Sequence, residues 1–140
     1  MQKGLRAEHA SALGAYRLWA ILGWLLVLAV VVLSLVSIEQ PLKLENADKY
    51  QHVLAYGALM YWWGMVQPTR RARWATALPL MGLVLEGAQS LTPDRMMEWR
   101  DALANLAGVM LGLLLLKSPA QRLLTRLDRH LGNRLDARGT

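Results

Sequence analysis

The sequence predicts an all-α membrane protein with four transmembrane helices and a basic amphipathic helix after them. Hydrophobic residues make up 54% of the 140 residues, and the run 18–38 has no charged side chain. A helix needs about 20 apolar residues to cross the hydrocarbon core of a bilayer, so this run is long enough. Three further apolar runs are continuous rather than alternating, which favours helices over the strands of a membrane barrel.

The predicted transmembrane helices follow one another through short connections. Pro41 and Pro68 mark the ends of the first two, because proline lacks the amide that a continuing helix needs. Gly108 and Gly112 lie four residues apart in the last, a spacing that predicts close contact with another helix. The connections leave no room for a soluble domain, so one membrane domain over 1–140 is expected. The four helices are predicted at about 18–38, 50–66, 74–91 and 101–117.

A fifth helix is predicted at about 119–135. Ser118 and Pro119 form its start signal, because serine caps a first helical turn and proline is favoured within that turn. Leucines recur at every fourth position with arginines between them, which is typical of a helix lying on anionic lipid. A helix that binds a protein partner is the alternative. The repeating residues are Leu123, Leu127, Leu131 and Leu135, with Arg122, Arg126, Arg129 and Arg134.

Lys and Arg are unevenly distributed among the segments outside the predicted spans. The segment 1–17, the connection 67–73 and residues 117–140 hold 12 of the 16 basic residues. Cytoplasmic segments of membrane proteins are enriched in Lys and Arg, so the N-terminal segment 1–17 and the tail 118–140 are expected in the cytoplasm. This topology accounts for the formal charge of +6, and we expect no nucleic-acid partner. The absence of cysteine excludes disulfides and thiolate metal sites.

Ionisable and amide side chains on three of the predicted spans are expected to meet near the outer end of the bundle. A charged group inside a bilayer costs roughly 2.5 to 3.5 kcal/mol on insertion scales, so it usually faces an internal site. At about 1.5 Å per residue, His52 and Asn105 lie about 6 Å inside their helix ends and Glu86 about 9 Å inside, at one level. The set comprises Asp48, Lys49, His52, Tyr56, Glu86, Gln89, Asp101 and Asn105.

These residues form two patterns that together resemble the VanZ-like family of membrane proteins. The resemblance covers about residues 18–117 and departs from the family in the bulky, charged connection 96–100. It implies a small four-helix protein of the bacterial cytoplasmic membrane, whose founding relative is associated with resistance to the glycopeptide antibiotic teicoplanin. The first pattern is D-K-x-x-H-x-x-x-Y, at Asp48, Lys49, His52 and Tyr56. The second is E-x-x-Q, P-x-R and D-x-x-x-N-x-x-G-x-x-x-G, at Glu86, Gln89, Pro93, Arg95, Asp101, Asn105, Gly108 and Gly112.

The residues leave several functions open, of which ligand binding is favoured. Lys49, Arg95 and Arg100 would hold an anionic head group, because arginine forms paired hydrogen bonds with phosphate. The ligand would be a lipid-linked phosphate intermediate of the cell envelope in the outer leaflet, or a glycopeptide-type antibiotic. Membrane lipids are the expected partners, and no cofactor is expected. The ligand-binding set is Asp48, Lys49, His52, Tyr56, Glu86, Gln89, Arg95, Arg100, Asp101 and Asn105.

Three alternatives use the same residues. In the first, a transferase or hydrolase acts on a lipid-linked substrate, with His52, Glu86 and Asp101 as acid–base groups. His52 would be oriented by Asp48 or Asp101, although no activated nucleophile is evident. In the second, the three acid–base residues and Asp48 bind a divalent metal. In the third, the polar groups pair with one another and the protein is a structural scaffold. Transport would need several copies of the chain to form a pathway.

Overall fold

The computed structural model describes residues 14–36, 47–91 and 98–136, and within these residues the chain is all-helical, as the sequence predicted. Two of the connections contain short 3-10 turns, at Pro68–Arg70 and Pro119–Arg122. Each predicted helix corresponds to an observed one. The α-helices are α1 at Tyr16–Leu35, α2 at Ala47–Val66, α3 at Arg71–Gln89, α4 at Trp99–Leu115 and α5 at Leu123–Asp136.

The first four helices begin two or three residues earlier than the sequence predicted. For example, α2 starts at Ala47, so Asp48 lies in its first turn, where a carboxylate stabilises the positive end of the helix dipole. The tail shows the predicted cap, because the Ser118 hydroxyl accepts a hydrogen bond from the Ala120 amide at 3.2 Å. The first turn after this cap is 3-10, and α5 itself begins at Leu123.

Among the described helices, α2 and α4 make the most extensive contact with each other. Glycine permits this approach: a Cβ atom on Gly108 would lie 2.5 Å from the Val53 carbonyl oxygen. A Cβ atom on Gly112 would lie 2.7 Å from the carbonyl oxygen of Gly57 on the facing helix. Larger side chains would push the helices apart, so the close contact predicted from the glycine spacing is confirmed.

Two apolar clusters form the core. One lies among α2, α3 and α4, with Leu59, Leu78 and Val109 fully buried. The other joins α1 and α2 to the tail through Trp63 and Leu124, and the Trp63 ring stacks on Trp74 of α3 at 4.2 Å between centroids. The second cluster makes the tail part of the packed structure.

Asp128 of α5 fastens the tail to the first turn of α1. Its carboxylate accepts hydrogen bonds from the backbone amides of Gly14 and Ala15, at 2.6 and 3.0 Å, and from Trp19 Nε1 at 2.7 Å. The segment Pro119–Leu131 is bent by 75° from α4. One face of α5 therefore packs on α1 and α2, while Leu123, Leu127 and Leu131 stay exposed.

By length and composition, α1 is a candidate membrane span. A second candidate arises only if α4 and the bent segment after it count as one broken span. The described residues thus contain one or two such helices. The other long helices, α2 and α3, have 20 and 19 residues, but polar side chains interrupt their apolar surfaces.

Candidate functional site

Polar side chains from four helices line a cavity of about 600 Å³ at one end of the bundle. The end of α1, the start of α2, the end of α3 and the start of α4 all contribute. Consecutive antiparallel helices bring these alternating ends to one side, which is why residues distant in sequence meet here. The lining residues are Val30, Leu33, Ser34, Asp48, Gln51, His52, Leu54, Ala55, Tyr56, Glu86, Gln89, Glu98 and Asp101.

His52 lies between two buried partners at the floor of the cavity. Its Nδ1 is 2.9 Å from Asn105 Oδ1, and its Nε2 is 3.8 Å from Glu86 Oε1. Glu86 is 3% exposed and Asn105 is 1% exposed. Because an amide oxygen only accepts hydrogen bonds, Nδ1 is the donor, and in a neutral ring the lone pair of Nε2 faces the Glu86 side.

Gly82 of α3 makes room for the amide that holds His52. A Cβ atom at this position would lie 2.4 Å from Asn105 Nδ2 and 3.0 Å from the Tyr56 hydroxyl oxygen. Asn105 Nδ2 is buried without a hydrogen-bond partner. The side chain of Asn105 is therefore fixed by close packing on one side and by His52 on the other.

Lys49 lies at the rim among three carboxylates. Its Nζ is 2.7 Å from Asp48 Oδ2, 3.2 Å from Glu98 Oε2 and 3.4 Å from Asp101 Oδ1. With Glu86, the described part of the cavity and its rim has four carboxylates for this one ammonium group. The described site is therefore acidic.

A hydrogen bond joins α3 to α1 at the side of the cavity that α1 lines. Gln89 Nε2 donates to the Ser34 carbonyl oxygen, which ties the end of α3 to the end of α1. Ser34 is the only hydroxyl residue between positions 18 and 36, and this was the signal that could have identified it from sequence. The predicted ligand-binding set also omits Gln51 and Glu98, because neither belongs to the two sequence patterns.

Of the ten residues of the predicted ligand-binding set, the structure places eight in the lining of the cavity or in direct contact with it. Arg100 is exposed, with its guanidinium carbon 5.9 Å from the centroid of the Trp99 ring. Arg95 lies outside the described residues. The prediction that Asp48 or Asp101 orients His52 is wrong: Asn105 does so, while Lys49 engages both carboxylates.

The predicted metal set divides into two groups. Ligand atoms of His52, Glu86 and Asp101 lie within 4.8 Å of one another, and those of Asp48, Glu98 and Asp101 do likewise. Asp48 therefore belongs with the rim, and His52 and Glu86 with the floor. Asp101 takes part in both groups, because it lies between them.

Comparison with known proteins assigns no function to this cavity. The chain matches no family model, no curated protein and no solved structure. The likeness to VanZ-like proteins rests on the signature residues alone. What the site offers chemically is a buried carboxylate beside an oriented imidazole, below an acidic rim with one lysine.

Proposed function

We propose that the chain is a multi-pass protein of the bacterial cytoplasmic membrane, of the VanZ-like kind, in which α1 to α4 all cross the bilayer. Its cavity binds the polar head group of an anionic, lipid-linked envelope intermediate from the outer leaflet. The observation that carries this proposal is the lining of the cavity, which combines buried polar side chains with apolar residues that are also exposed at the surface of the bundle.

The distribution of apolar side chains supports four membrane-embedded helices. Leu33 of α1, Leu54 of α2 and Val84 of α3 are exposed at 59%, 68% and 71%, and α4 also exposes leucines. Glu86 and Asn105 are buried instead. A large exposed apolar surface is unfavourable in water but matches hydrocarbon. At about 1.5 Å per residue, α2, α3 and α4 extend about 26 to 30 Å, close to the thickness of the bilayer core.

Basic side chains support an orientation with the cavity on the outer side. Arg70 lies between α2 and α3 and Arg71 is the first residue of α3, so both are at the end of α2 that is far from His52. The tail reaches this same end, where the Tyr61 hydroxyl donates to the Ala120 carbonyl oxygen at 2.6 Å. A cytoplasmic location for these basic segments leaves the cavity facing out.

The wall of the cavity between α1 and α2 suits a ligand with a long apolar chain. Val30 and Leu33 of α1 and Leu54 and Ala55 of α2 line it, and both leucines are exposed to the surroundings of the bundle. An acyl or isoprenoid chain lying there would stay in hydrocarbon while its head group reached His52. A water-soluble metabolite would gain nothing from such a wall.

Lys49 is the described cation placed to meet an anionic head group. Its contacts with Asp48 and Glu98 lie at the rim, because these side chains are 45% and 54% exposed, and exposed ion pairs are worth only about 0–1 kcal/mol each. A phosphate can therefore replace one of them at low cost. Arg100 precedes Asp101 at the start of α4, so it lies at the same end of the bundle as Lys49.

A second candidate is a transferase or hydrolase acting on the same lipid. The observation that favours it is the imidazole of His52, held by Asn105 at 2.9 Å and facing the buried carboxylate of Glu86 at 3.8 Å. Such an arrangement is suited to general acid–base catalysis. In this case the bound lipid would be converted on incubation, and His52→Ala would prevent conversion without preventing binding.

Native mass spectrometry of the protein purified with its retained lipids tests the proposal. We expect one phosphate-bearing lipid to be retained selectively, and Lys49→Gln to reduce its retention at least fivefold. The matched control is Lys117→Gln, an exposed lysine at the opposite end of the bundle, which should change nothing. Equal retention by Lys49→Gln and wild type, in protein that remains monodisperse, would contradict the binding function and leave the scaffold alternative.

A further inference from the structure

We infer that the floor of the cavity binds a divalent cation such as Zn²⁺ or Mn²⁺ through His52, Glu86 and Asp101. Three helices supply these ligands, one each from α2, α3 and α4. Imidazole and carboxylate groups together suit first-row divalent metals. The site does not depend on the lipid function, because the protein side chains alone form it.

The spacing of the ligand atoms fits a single ion. Ligands of Zn²⁺ lie about 2.0–2.2 Å from the metal, so two of them are at most about 4.4 Å apart. The three ligand atoms here lie within 4.8 Å of one another, and His52 Nε2 is 3.8 Å from Glu86 Oε1. This separation exceeds a hydrogen bond, yet side-chain shifts of a few tenths of an ångström bring all three atoms to ligating distance.

Asn105 prepares His52 for a metal. A metal-bound histidine usually donates its other ring N–H to an oxygen, which fixes the tautomer and the ring orientation. Asn105 Oδ1 is that oxygen, 2.9 Å from Nδ1, on a side chain that is 1% exposed and packed against Gly82. The lone pair of Nε2 is thereby directed at the space that Glu86 and Asp101 also face.

The charged groups around His52, Glu86 and Asp101 differ from those around the acidic group at the rim. Lys49 already neutralises Asp48 and Glu98, at 2.7 and 3.2 Å, so an ammonium group occupies the place a metal would take there. At the floor, Glu86 is buried and Asp101 is 14% exposed, and Lys49 also pairs with Asp101 at 3.4 Å. Two carboxylates this close are costly to bury together, and a divalent cation offsets that cost.

The metal also explains how an acidic cavity accepts a phosphate. Three protein ligands leave at least one coordination position open. Since His52, Glu86 and Asp101 all line the cavity, a phosphate oxygen of a ligand bound there would be able to complete the coordination. This last step rests on the proposed lipid function, whereas the metal site itself does not.

Equilibrium dialysis of the delipidated full chain against Zn²⁺, with the bound metal counted by mass spectrometry, tests the site. The affinity tag must contain no histidine. We expect one ion per chain, with affinity at least tenfold weaker in His52→Ala and in the isosteric Glu86→Gln. Asn105→Ala should lose about tenfold or more, because outer partners of metal ligands typically contribute that much. The matched control is the exposed His130→Ala, which should stay within twofold of wild type. Glu98→Gln alters the rim group and distinguishes it from the floor, because it should lower the affinity less than Glu86→Gln does.

Pulsed electron paramagnetic resonance of the Mn²⁺-loaded protein supplies a second readout. Coupling to an imidazole nitrogen should be present in wild type and in His130→Ala, and absent in His52→Ala. No stoichiometric binding, or equal affinities in wild type and Glu86→Gln, would overturn the inference. A loss in Glu98→Gln as large as in Glu86→Gln would overturn the assignment to the floor. If the protein binds no metal but retains one lipid selectively, the metal site is contradicted and the lipid function stands. If it binds one metal ion but retains no lipid selectively, the lipid function is contradicted and the metal site stands.

Discussion

At the scale of single residues, Asp128 shows how one carboxylate can join two distant segments. Its carboxylate accepts hydrogen bonds from two backbone amides and one indole N–H at the start of α1. Burial raises the pKa of Asp128, but the hydrogen bonds from Trp19, Ala15 and Gly14 lower it, and the net pKa lies below the ordinary value of 3.8. The ionised form is therefore the one that the fold stabilises.

Removing this charge should loosen the tail. Hydrogen bonds to a charged group contribute about 1.5–3 kcal/mol each, and an asparagine keeps weaker versions of some of them. We expect Asp128→Asn to lower the free energy of unfolding by about 1–3 kcal/mol, measured by thermal unfolding in detergent at pH 7. The control Glu98→Gln removes an exposed carboxylate and should cost less than about 0.5 kcal/mol. Equal effects of the two substitutions would contradict the importance of the buried contact.

The same contact predicts a pH dependence. Because the folded pKa of Asp128 is below the unfolded value, its stabilisation is fully present above that unfolded value and is lost as the pH falls through the folded pKa. The difference in melting temperature between wild type and Asp128→Asn should be constant from pH 7 to roughly pH 5 and shrink below roughly pH 4. A difference that grows on acidification would have the wrong sign for this mechanism.

Residue patterns predicted which side chains meet in the cavity but not how they pair. The stripes at Asp48 and His52 and at Asp101 and Asn105 follow from helical periodicity alone. The partner of His52 depends on the rotation of α2 against α4, which no single-helix pattern contains. Asp128 was missed for another reason: an acidic residue among arginines on an amphipathic helix looks like part of a solvated face.

At the scale of helices, the contact between α2 and α4 should be sensitive to one methyl group. Gly108→Ala would place a Cβ 2.5 Å from the Val53 carbonyl oxygen, and such overpacking typically costs about 1–3 kcal/mol. Gly87→Ala is the matched control, because nothing lies within 4 Å of its Cβ position. That control should be neutral or stabilising by up to about 1 kcal/mol, since alanine is the better helix former. Thermal unfolding of both variants checks the contrast, and equal melting temperatures would contradict it.

The tail offers a second element-level prediction. Leu123, Leu127 and Leu131 stay exposed in the packed structure and lie beside arginines, as expected for a helix resting on anionic lipid. A peptide of residues 119–135 should bind anionic vesicles more tightly than neutral ones, and added salt should weaken the binding. A scrambled peptide of the same composition controls for charge. Equal binding to both vesicle types would favour a protein partner.

Hydropathy predicted the first four helices to within three residues, because their apolar runs are long and the prolines between them end helices. It could not predict the 3-10 turn at Pro119–Arg122 or the docking of α5. The docking depends on where Leu124 meets the core, and Leu124 looks no different in sequence from the exposed Leu123 beside it.

At the scale of the whole molecule, the proposed topology can be tested without background labelling, because the chain has no cysteine. Glu98 at the cavity end and Arg70 at the opposite end are both exposed. We expect Glu98→Cys to react with a membrane-impermeant thiol reagent in intact cells, whereas Arg70→Cys should react only after permeabilisation. The reverse pattern would place the cavity on the cytoplasmic side and remove the outer leaflet as the source of its ligand.

The bond between Asp128 and the start of α1 also has a consequence for synthesis. It joins residues 114 positions apart, so the amide of Gly14 leaves the ribosome long before its acceptor exists. At about 5–20 residues per second, the delay is about 6 to 23 s. In the proposed topology, α1 is held during this interval by its apolar side chains and by bonds to the helices made after it, such as that from Gln89 to the Ser34 carbonyl oxygen. Translation of the tail then adds the contacts that fix the start of α1.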